Sequence, residues 1–89
     1  METKLVFSSH AKDQLADRGT NEAEVAETVR EGERQSAKHG RISFRKNFPF
    51  EKEWKGRYYS SKQVMPIVAE ESDRLVVVTV YVFYFGGRQ

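Results

Sequence analysis

The sequence predicts an α+β domain in which two N-terminal helices pack on one face of an antiparallel sheet of about four strands. Helix-capping residues and short amphipathic segments fill the first third of the chain. From residue 34 onwards the apolar period changes from helix-like to two, which is typical of half-buried strands. The chain has 89 residues, enough for one modest core, so we expect residues 1–89 to form a single domain.

Two helices are predicted between residues 8 and 32. Ser8 or Ser9 supplies the N-cap of the first, which covers about residues 10–18, and Gly19 supplies its left-handed stop. Asn21 caps the second helix, which runs to residue 30 or 31 and is ended by Gly32. The expected apolar stripes are Ala11 and Leu15 on the first helix and Val25, Ala26 and Val29 on the second.

Strands account for the rest of the chain. The final run, residues 75–85, is apolar on both sides, so we expect it in the centre of the sheet or covered by a partner. Pro66 cannot donate a ladder hydrogen bond, which predicts an edge or bulged position for the strand around it. Turns are expected at residues 38–40 and 71–74. The other predicted strands are 41–48, 54–59 and 63–69, and residues 5–7 form either a short strand or a hydrophobic lead-in.

Composition excludes several classes of function. The chain has no cysteine, which excludes disulfides, thiolate metal sites and thiol nucleophiles. Its two histidines are far apart in sequence and lack an organised carboxylate cluster, so we expect no metal. No phosphate-binding glycine loop is present, so we expect no cofactor. The absence of a signal-peptide pattern and of a membrane-length apolar stretch predicts a cytoplasmic protein.

The charge distribution is uneven, although the net charge is only +2. Residues 1–32 carry four Lys or Arg against seven Asp or Glu, whereas residues 33–70 carry nine against four. With these two parts on opposite sides of the fold, one face would be positive and suited to phosphates. A mixed-charge surface that keeps a small domain soluble explains the same counts.

The residue types support metal-free cleavage of RNA, in which a neighbouring 2′-hydroxyl attacks the phosphate. This chemistry needs a base, an acid and cations that stabilise the developing negative charge. His10 is the candidate acid or base, because the dipole at a helix N-terminus favours a neutral imidazole. The candidate catalytic residues are His10, Arg18, Arg45, Arg57, Thr79 and Tyr81, and the candidate RNA-binding residues are Arg41, Lys46, Lys55, Tyr58 and Tyr59.

Several of these residues also have a structural interpretation. His10 is typical of a capping or solvent-exposed position, although a polar residue at 13, 14 or 17 is spaced to orient its ring. Arg18 suits a helix C-terminus, where a cation meets the free carbonyls. Thr79 is either an active-site hydroxyl or simply a good strand former. His39 falls in a predicted turn, and we expect it to be structural.

The order Ser-x-His-Ala, Arg-Gly and then an acidic amphipathic helix ending in Gly-Glu resembles a family of small bacterial domains of unknown function. That family is usually grouped with RelE-type toxins and barnase-like RNases. The match is strongest at residues 10–11, 18–19, 24–25, 32–33 and 76–81. It departs from the family at Gln14, where a basic residue is common, and at Thr20, where a branched apolar residue is common.

This resemblance implies a RelE-like fold, with helices on one sheet face and RNA against the other. It implies a toxin-like, metal-independent endoribonuclease, with RNA as substrate and a cognate antitoxin-like protein as partner. The alternative is a non-catalytic RNA-binding or protein-interaction module on the same fold. The aromatic tail at residues 83–85 indicates a homodimer or partner contact, or an ordinary central strand.

Overall fold

The computed structural model describes residues 4–87 of the chain. Within that range the elements are β1 (Lys4–Phe7), α1 (Ser9–Arg18), α2 (Glu22–Glu31), β2 (Glu33–Ser36), β3 (Ile42–Trp54), β4 (Arg57–Glu70) and β5 (Arg74–Phe85). The strands form one sheet in the order β1-β5-β4-β3-β2. β1 runs parallel to β5 and the other neighbouring pairs are antiparallel, so the sheet is mixed.

The predicted α+β architecture is confirmed, with a sheet of five strands in the described residues and one parallel pair. Residues 4–7 form a strand at the edge of the sheet. β5 lies between β1 and β4, as its apolar pattern predicts. β2 is the additional strand. Its four residues are polar and exposed, so pairing with β3 forms it without any apolar alternation in the sequence.

The helix caps lie where the sequence predicts them. The Ser8 side chain accepts a hydrogen bond from Ala11 N at 3.0 Å, and left-handed Gly19 (φ 77°) ends α1. Asn21 Oδ1 accepts from Glu24 N at 2.8 Å at the start of α2. These bonds satisfy groups that a helix terminus leaves free. Both helices have 10 residues, and no helix in residues 4–87 is long and apolar enough to cross a membrane.

The predicted strand over residues 54–59 is wrong. Trp54 is the last residue of β3, and Lys55 and Gly56 form the turn that leads to β4, with φ angles of 51° and 84°. β4 then continues without a break from Arg57 through the residues predicted as a separate strand. Two positive φ angles in succession are what a two-residue hairpin loop requires, and glycine supplies one of them without strain.

Pro66 lies in an interior strand rather than at an edge. It is fully buried in β4, which has β3 on one side and β5 on the other. In the pairing with β3, Ser43 lies opposite Ile67, and the next pair is Lys46 with Val64. Pro66, between these positions of β4, therefore has no paired residue in β3. The register with β5 shifts between Ile67 and Val68. The sheet therefore accommodates the missing N–H group with a gap on one side and an irregularity on the other.

The helices and the sheet enclose a core on one face only. Its members are Ala11, Leu15, Val25, Ile42, Phe44, Val64, Val68, Val77 and Val80. Because side chains alternate along a strand, the residues between these positions lie on the opposite face, which we call the open face. Its side chains are Ser43, Arg45 and Asn47 of β3, Gln63, Met65 and Ile67 of β4, and Thr79, Tyr81, Phe83 and Phe85 of β5.

A buried ion pair joins the helices to the sheet. Lys62 of β4 is only 6% exposed, and its ammonium lies 2.8 Å from Glu24 Oε1 of α2. The same ammonium donates to Gly19 O at 2.7 Å, and the Thr20 hydroxyl donates to Glu24 Oε1 at 2.8 Å. A buried charge is tolerated only when it is paired and hydrogen-bonded. This network therefore fixes the turn between α1 and α2 against β4.

We expect Glu24→Gln to lower the free energy of unfolding by about 3 kcal/mol, because it leaves the buried Lys62 ammonium without its counter-ion. Urea denaturation followed by circular dichroism measures the change. Glu31→Gln is the matched control: Glu31 is half exposed and lies 3.7 Å from Lys46, so its midpoint should barely move. An equal loss of stability in both variants would contradict a special role for the buried pair.

Candidate functional site

The structure distributes the predicted site residues, apart from Arg45 and Lys46, over three concave places. The first, on the open face beside the β2–β3 connection, is the sheet-face groove, lined among others by Lys38, His39, Arg41, Ser43, Thr79 and Tyr81. The second, between α1 and the β3–β4 hairpin, is the helix-edge groove, lined among others by His10, Asp13, Asp17, Arg18, Trp54 and Lys55. The third is a shallow depression that contains Arg57, Tyr58 and Tyr59.

The sheet-face groove has a volume of about 700 Å³ and is basic. Lys38, His39 and Arg41 line it, and no carboxylate occurs among its described lining residues. A single 3-10 turn over Lys38–Gly40 carries the histidine in a left-handed conformation (φ 63°), and Ala37 N donates to Arg41 O at 2.8 Å to close the loop. The local hairpin therefore presents two cations, Lys38 and Arg41, and one imidazole at the edge of the open face.

Thr79 and Gln14 connect this groove to α1. The Thr79 hydroxyl donates to Gln14 Oε1 at 2.8 Å, and Val80 N donates to the same oxygen at 2.8 Å. Gln14 is thus a neutral hydrogen-bond acceptor at a position where a basic residue is common in the family that the sequence resembles, and its side-chain oxygen is bound to β5.

The helix-edge groove has a volume of about 940 Å³ and mixed charge. His10 and Arg18 line it together, so one pair of predicted catalytic residues shares a groove. Asp13 and Asp17 line the same groove, and Lys55 approaches from the hairpin, with its ammonium 5.5 Å from the centroid of the Trp54 ring. The carboxylates reduce the positive potential that a phosphate ligand would need.

Arg18 lies between the two grooves. Its backbone carbonyl accepts a hydrogen bond from the Tyr84 hydroxyl at 2.6 Å. Its guanidinium carbon lies 5.5 Å from the centroid of the Tyr81 ring on the open face. The side chain therefore makes a cation–π contact with a strand residue, beyond any role at the C-terminus of its own helix.

Exposed aromatic rings continue from the sheet-face groove along β5. Tyr81, Phe83 and Phe85 are 38%, 47% and 43% exposed. The rings of Tyr81 and Phe83 have centroids 6.4 Å apart and planes 19° from parallel. Beside them, Gln63 Nε2 donates to Asn47 Oδ1 at 3.0 Å. The open face thus combines aromatic rings, side-chain amides and, in the groove, cations.

Two predicted cations of β3 lie on opposite faces of the sheet. Arg45 is on the open face, donates from one terminal nitrogen to Gln35 Oε1 at 3.0 Å, and keeps Nε without an acceptor in the described part of the chain. Lys46 is on the helix face, with its ammonium 2.6 Å from Glu27 and 3.7 Å from Glu31. The expectation that Lys46 contributes to the RNA surface is therefore not supported by its position, because α2 neutralises it.

The remaining predicted residues lie towards the far end of the sheet. Arg57 and Tyr58 line the shallow depression and are separate from both grooves. Tyr59 belongs to an aromatic cluster around Tyr84, whose ring centroid lies 5.5 Å from that of Tyr59 and 5.0 Å from that of Trp54. The predicted catalytic combination of His10, Arg18, Arg45 and Arg57 is thus spread over distinct parts of the surface.

Lys38, His39 and Phe83 belong to these surfaces but are not among the candidate site residues that the sequence indicates. His39 was assigned to a turn, which is correct, but the turn opens onto the groove that contains Thr79 and Tyr81. The sequence indicates the aromatic tail at residues 83–85 as a homodimer or partner contact or an ordinary strand, and the structure shows Phe83 to be 47% exposed. Strand alternation places Tyr81, Phe83 and Phe85 on one face. Within residues 4–87, no three His, Asp or Glu side chains form a group that could hold a metal ion.

Burial, and then the negative charge of Glu24, raise the pKa of the Tyr84 hydroxyl to about 12. This value is above the ordinary tyrosine pKa of about 10. The contribution of the neutral Tyr84 hydroxyl to the free energy of unfolding is therefore complete below about pH 10 and is lost as the pH rises towards 12.

We expect an ultraviolet titration to show one of the four tyrosines ionising last. Tyr84→Phe should remove that last step and Tyr81→Phe should retain it. Persistence of the step in Tyr84→Phe would contradict the assignment.

Comparison with known proteins identifies a family. Residues 7–82 match the family described as a domain of unknown function, DUF4258. No curated protein and no solved structure matches the chain. The matched range begins at the end of β1 and reaches Val82 of β5, so it includes both helices and most of the sheet. The chain therefore belongs to the DUF4258 family.

Proposed function

We propose that the protein is a metal-independent endoribonuclease that acts on single-stranded RNA bound across the open face. The supporting observation is the sheet-face groove, where Lys38, His39, Arg41 and Tyr81 come together without a carboxylate among the described lining residues. Cations attract the phosphate and stabilise the charge that develops on it, while imidazole and phenol groups can transfer protons. One groove therefore contains the group types that the reaction requires.

The helix-edge groove is the weaker candidate for the reaction. It contains His10, but Asp13 and Asp17 line it as well. Carboxylates repel the approaching phosphate backbone and oppose further negative charge in the transition state. For this reason we assign the phosphate to the sheet-face groove. Arg18, which contacts Tyr81, would then support the substrate from the edge of β5.

In the proposed reaction His39 accepts the proton of a ribose 2′-hydroxyl, whose oxygen attacks the adjacent phosphorus. The bond from phosphorus to the 5′-oxygen of the next nucleotide breaks, and Tyr81 donates a proton to that leaving oxygen. The products are a 2′,3′-cyclic phosphate and a free 5′-hydroxyl. Lys38 and Arg41 stabilise the additional negative charge on the phosphate oxygens. Every bond change is accounted for by the RNA and these side chains.

The resemblance to RelE-type toxins and barnase-like RNases supports the proposed surface. In RelE-type folds the helices cover one sheet face and RNA lies against the other. Here both helices pack on one face and contribute to a single core. We extend the proposal to a cytoplasmic, toxin-like protein whose antitoxin-like partner covers the basic groove.

A non-catalytic RNA-binding module is the second candidate. His10 and His39 line different grooves, so among the described lining residues the sheet-face groove contains a single histidine. Cleavage then depends on a phenol, a weak acid, as the second proton-transfer group. Without that step the same cations and aromatic rings would bind single-stranded RNA and leave it intact.

Incubation with a mixed-sequence single-stranded RNA in EDTA is expected to yield fragments that end in a 2′,3′-cyclic phosphate. His39→Ala should lower the initial rate by about 10²–10⁴-fold, the range for one acid–base group. His10→Ala is the matched control, because this histidine lines the other groove. Fragment analysis by gel and mass spectrometry gives both the rate and the chemistry of the ends.

The alternatives give different outcomes in the same experiment. Loss of cleavage in His10→Ala, with activity retained in His39→Ala, would move the reaction to the helix-edge groove. Absence of cleavage in all three proteins, together with salt-sensitive binding, would favour the non-catalytic module. A protein that neither cleaves nor binds RNA would rule out both RNA-directed proposals.

Salt dependence tests the phosphate contact separately. For single strands, each neutralised phosphate contributes about 0.7 to the slope of log K against log salt concentration. We expect Arg41→Gln to reduce the slope by about that amount. Lys46→Gln should leave it unchanged, because Glu27 and Glu31 already neutralise Lys46 on the helix face. The same reduction in both variants would show that binding is not localised to the groove.

A further inference from the structure

We infer that the rings of Tyr81 and Phe83 form a slot that binds one unpaired nucleobase. The inference rests on the proposed function and deepens it, since it specifies which part of the RNA the open face recognises. The ring centroids are 6.4 Å apart and the planes are 19° from parallel. Stacked bases are about 3.4 Å apart, so a base between two rings requires roughly 6.8 Å. Because the planes are nearly parallel, the distance between them is at most about the 6.4 Å that separates the centroids, so the rings must move apart by at least about 0.4 Å to admit a base.

The strand itself produces this spacing. A β-strand rises about 3.4 Å per residue, so side chains at alternate positions on one face are about 6.8 Å apart. Tyr81 and Phe83 are such a pair in β5, and Met65 and Gln63 lie opposite them in β4. The spacing of the two side-chain attachment points is therefore a property of the backbone.

Both rings are accessible to a ligand. Tyr81 is 38% exposed and Phe83 is 47% exposed, in the part of β5 that lies beyond its pairing with β1. Exposed aromatic area of this kind is unfavourable in water and is commonly covered in a complex. A base covers it on stacking, and base–aromatic stacking tolerates any of the four bases because each has a π-face.

The polar neighbours favour a base over an apolar protein surface. Gln63 lies opposite Phe83, and its amide donates to Asn47 in a solvent-exposed hydrogen bond. An apolar partner would bury the free positions of these amides without hydrogen bonds, at a cost in free energy. The edge of a base supplies donors and acceptors for them. The Arg18 guanidinium, 5.5 Å from the centroid of the Tyr81 ring, adds a cation for the attached phosphate.

A slot of this kind requires single-stranded RNA. A paired base is already stacked on both sides inside a duplex and cannot enter without being unpaired first. Phe83 lies outside the sheet-face groove and itself transfers no proton in the proposed reaction; its link to that reaction is the neighbouring ring of Tyr81. It is therefore a binding residue, and its loss should raise KM with little change in kcat.

Fluorescence anisotropy with a short labelled RNA tests the slot, with the 2′-hydroxyls methylated so that it cannot be cleaved. We expect Phe83→Leu, which keeps the apolar bulk but removes the π-face, to raise Kd by about 5- to 150-fold. Phe83→Tyr should restore binding. Phe85→Leu is the matched control, since Phe85 is an equally exposed aromatic on the same strand outside the ring pair. The fully paired duplex should bind wild type and Phe83→Leu equally.

The outcomes separate this inference from the proposed function. Equal Kd values for Phe83→Leu and Phe85→Leu, in a protein that binds or cleaves RNA, would overturn the slot alone. A wild-type protein that neither binds nor cleaves RNA would overturn both. Sedimentation that shows a wild-type dimer and a Phe83→Leu monomer would also overturn the slot, because the rings would then form an interface between two copies of the chain.

Discussion

The ammonium of Lys62, buried beneath the helices, is the constraint on which the arrangement of the site depends. Its acceptors are the carbonyl of Gly19, in the turn between α1 and α2, and the carboxylate of Glu24 in α2, so the end of α1 must lie over β4. Gly19 makes this approach possible: its φ is 77°, and the Tyr84 hydroxyl and the Trp54 ring occupy the space that a Cβ would need. The Tyr84 hydroxyl holds the preceding carbonyl, that of Arg18. Arg18 is thereby kept beside β5, next to the open face.

The same helices decide which cations remain available. The acidic residues of α2 neutralise Lys46 and Lys62, the two lysines that β3 and β4 direct towards the helix face. The excess of positive charge in residues 33–70 is therefore only partly a surface charge. The positive charge in the sheet-face groove comes from the β2–β3 connection. Its Lys38 and Arg41 have no carboxylate among their described neighbours in the groove. Folding therefore determines which of the basic residues in the sequence form a positive surface.

The parts of the fold that sequence predicts are those set by local interactions. Caps depend on residues three or four apart, and the nearly continuous apolar run of β5 is internal to that strand. The Lys55–Gly56 turn was missed because aromatic residues on both sides continue a strand-like pattern across it. β2 has no apolar pattern at all. The proximity of His39 to Tyr81 depends on the register of β3, β4 and β5 together, and no local pattern encodes it.

Tyr81 belongs to both the sheet-face groove and the ring pair, and this has a consequence for specificity. In the proposed complex, a base held against Tyr81 and Phe83 is adjacent to the phosphate assigned to the groove, because the two proposed sites share one side chain. Stacking does not distinguish the four bases, whereas hydrogen bonds to a base edge do. The amides that can make such bonds here are those of Gln63 and Asn47. Any sequence preference should therefore be confined to one nucleotide beside the scissile bond and should change with these two amides.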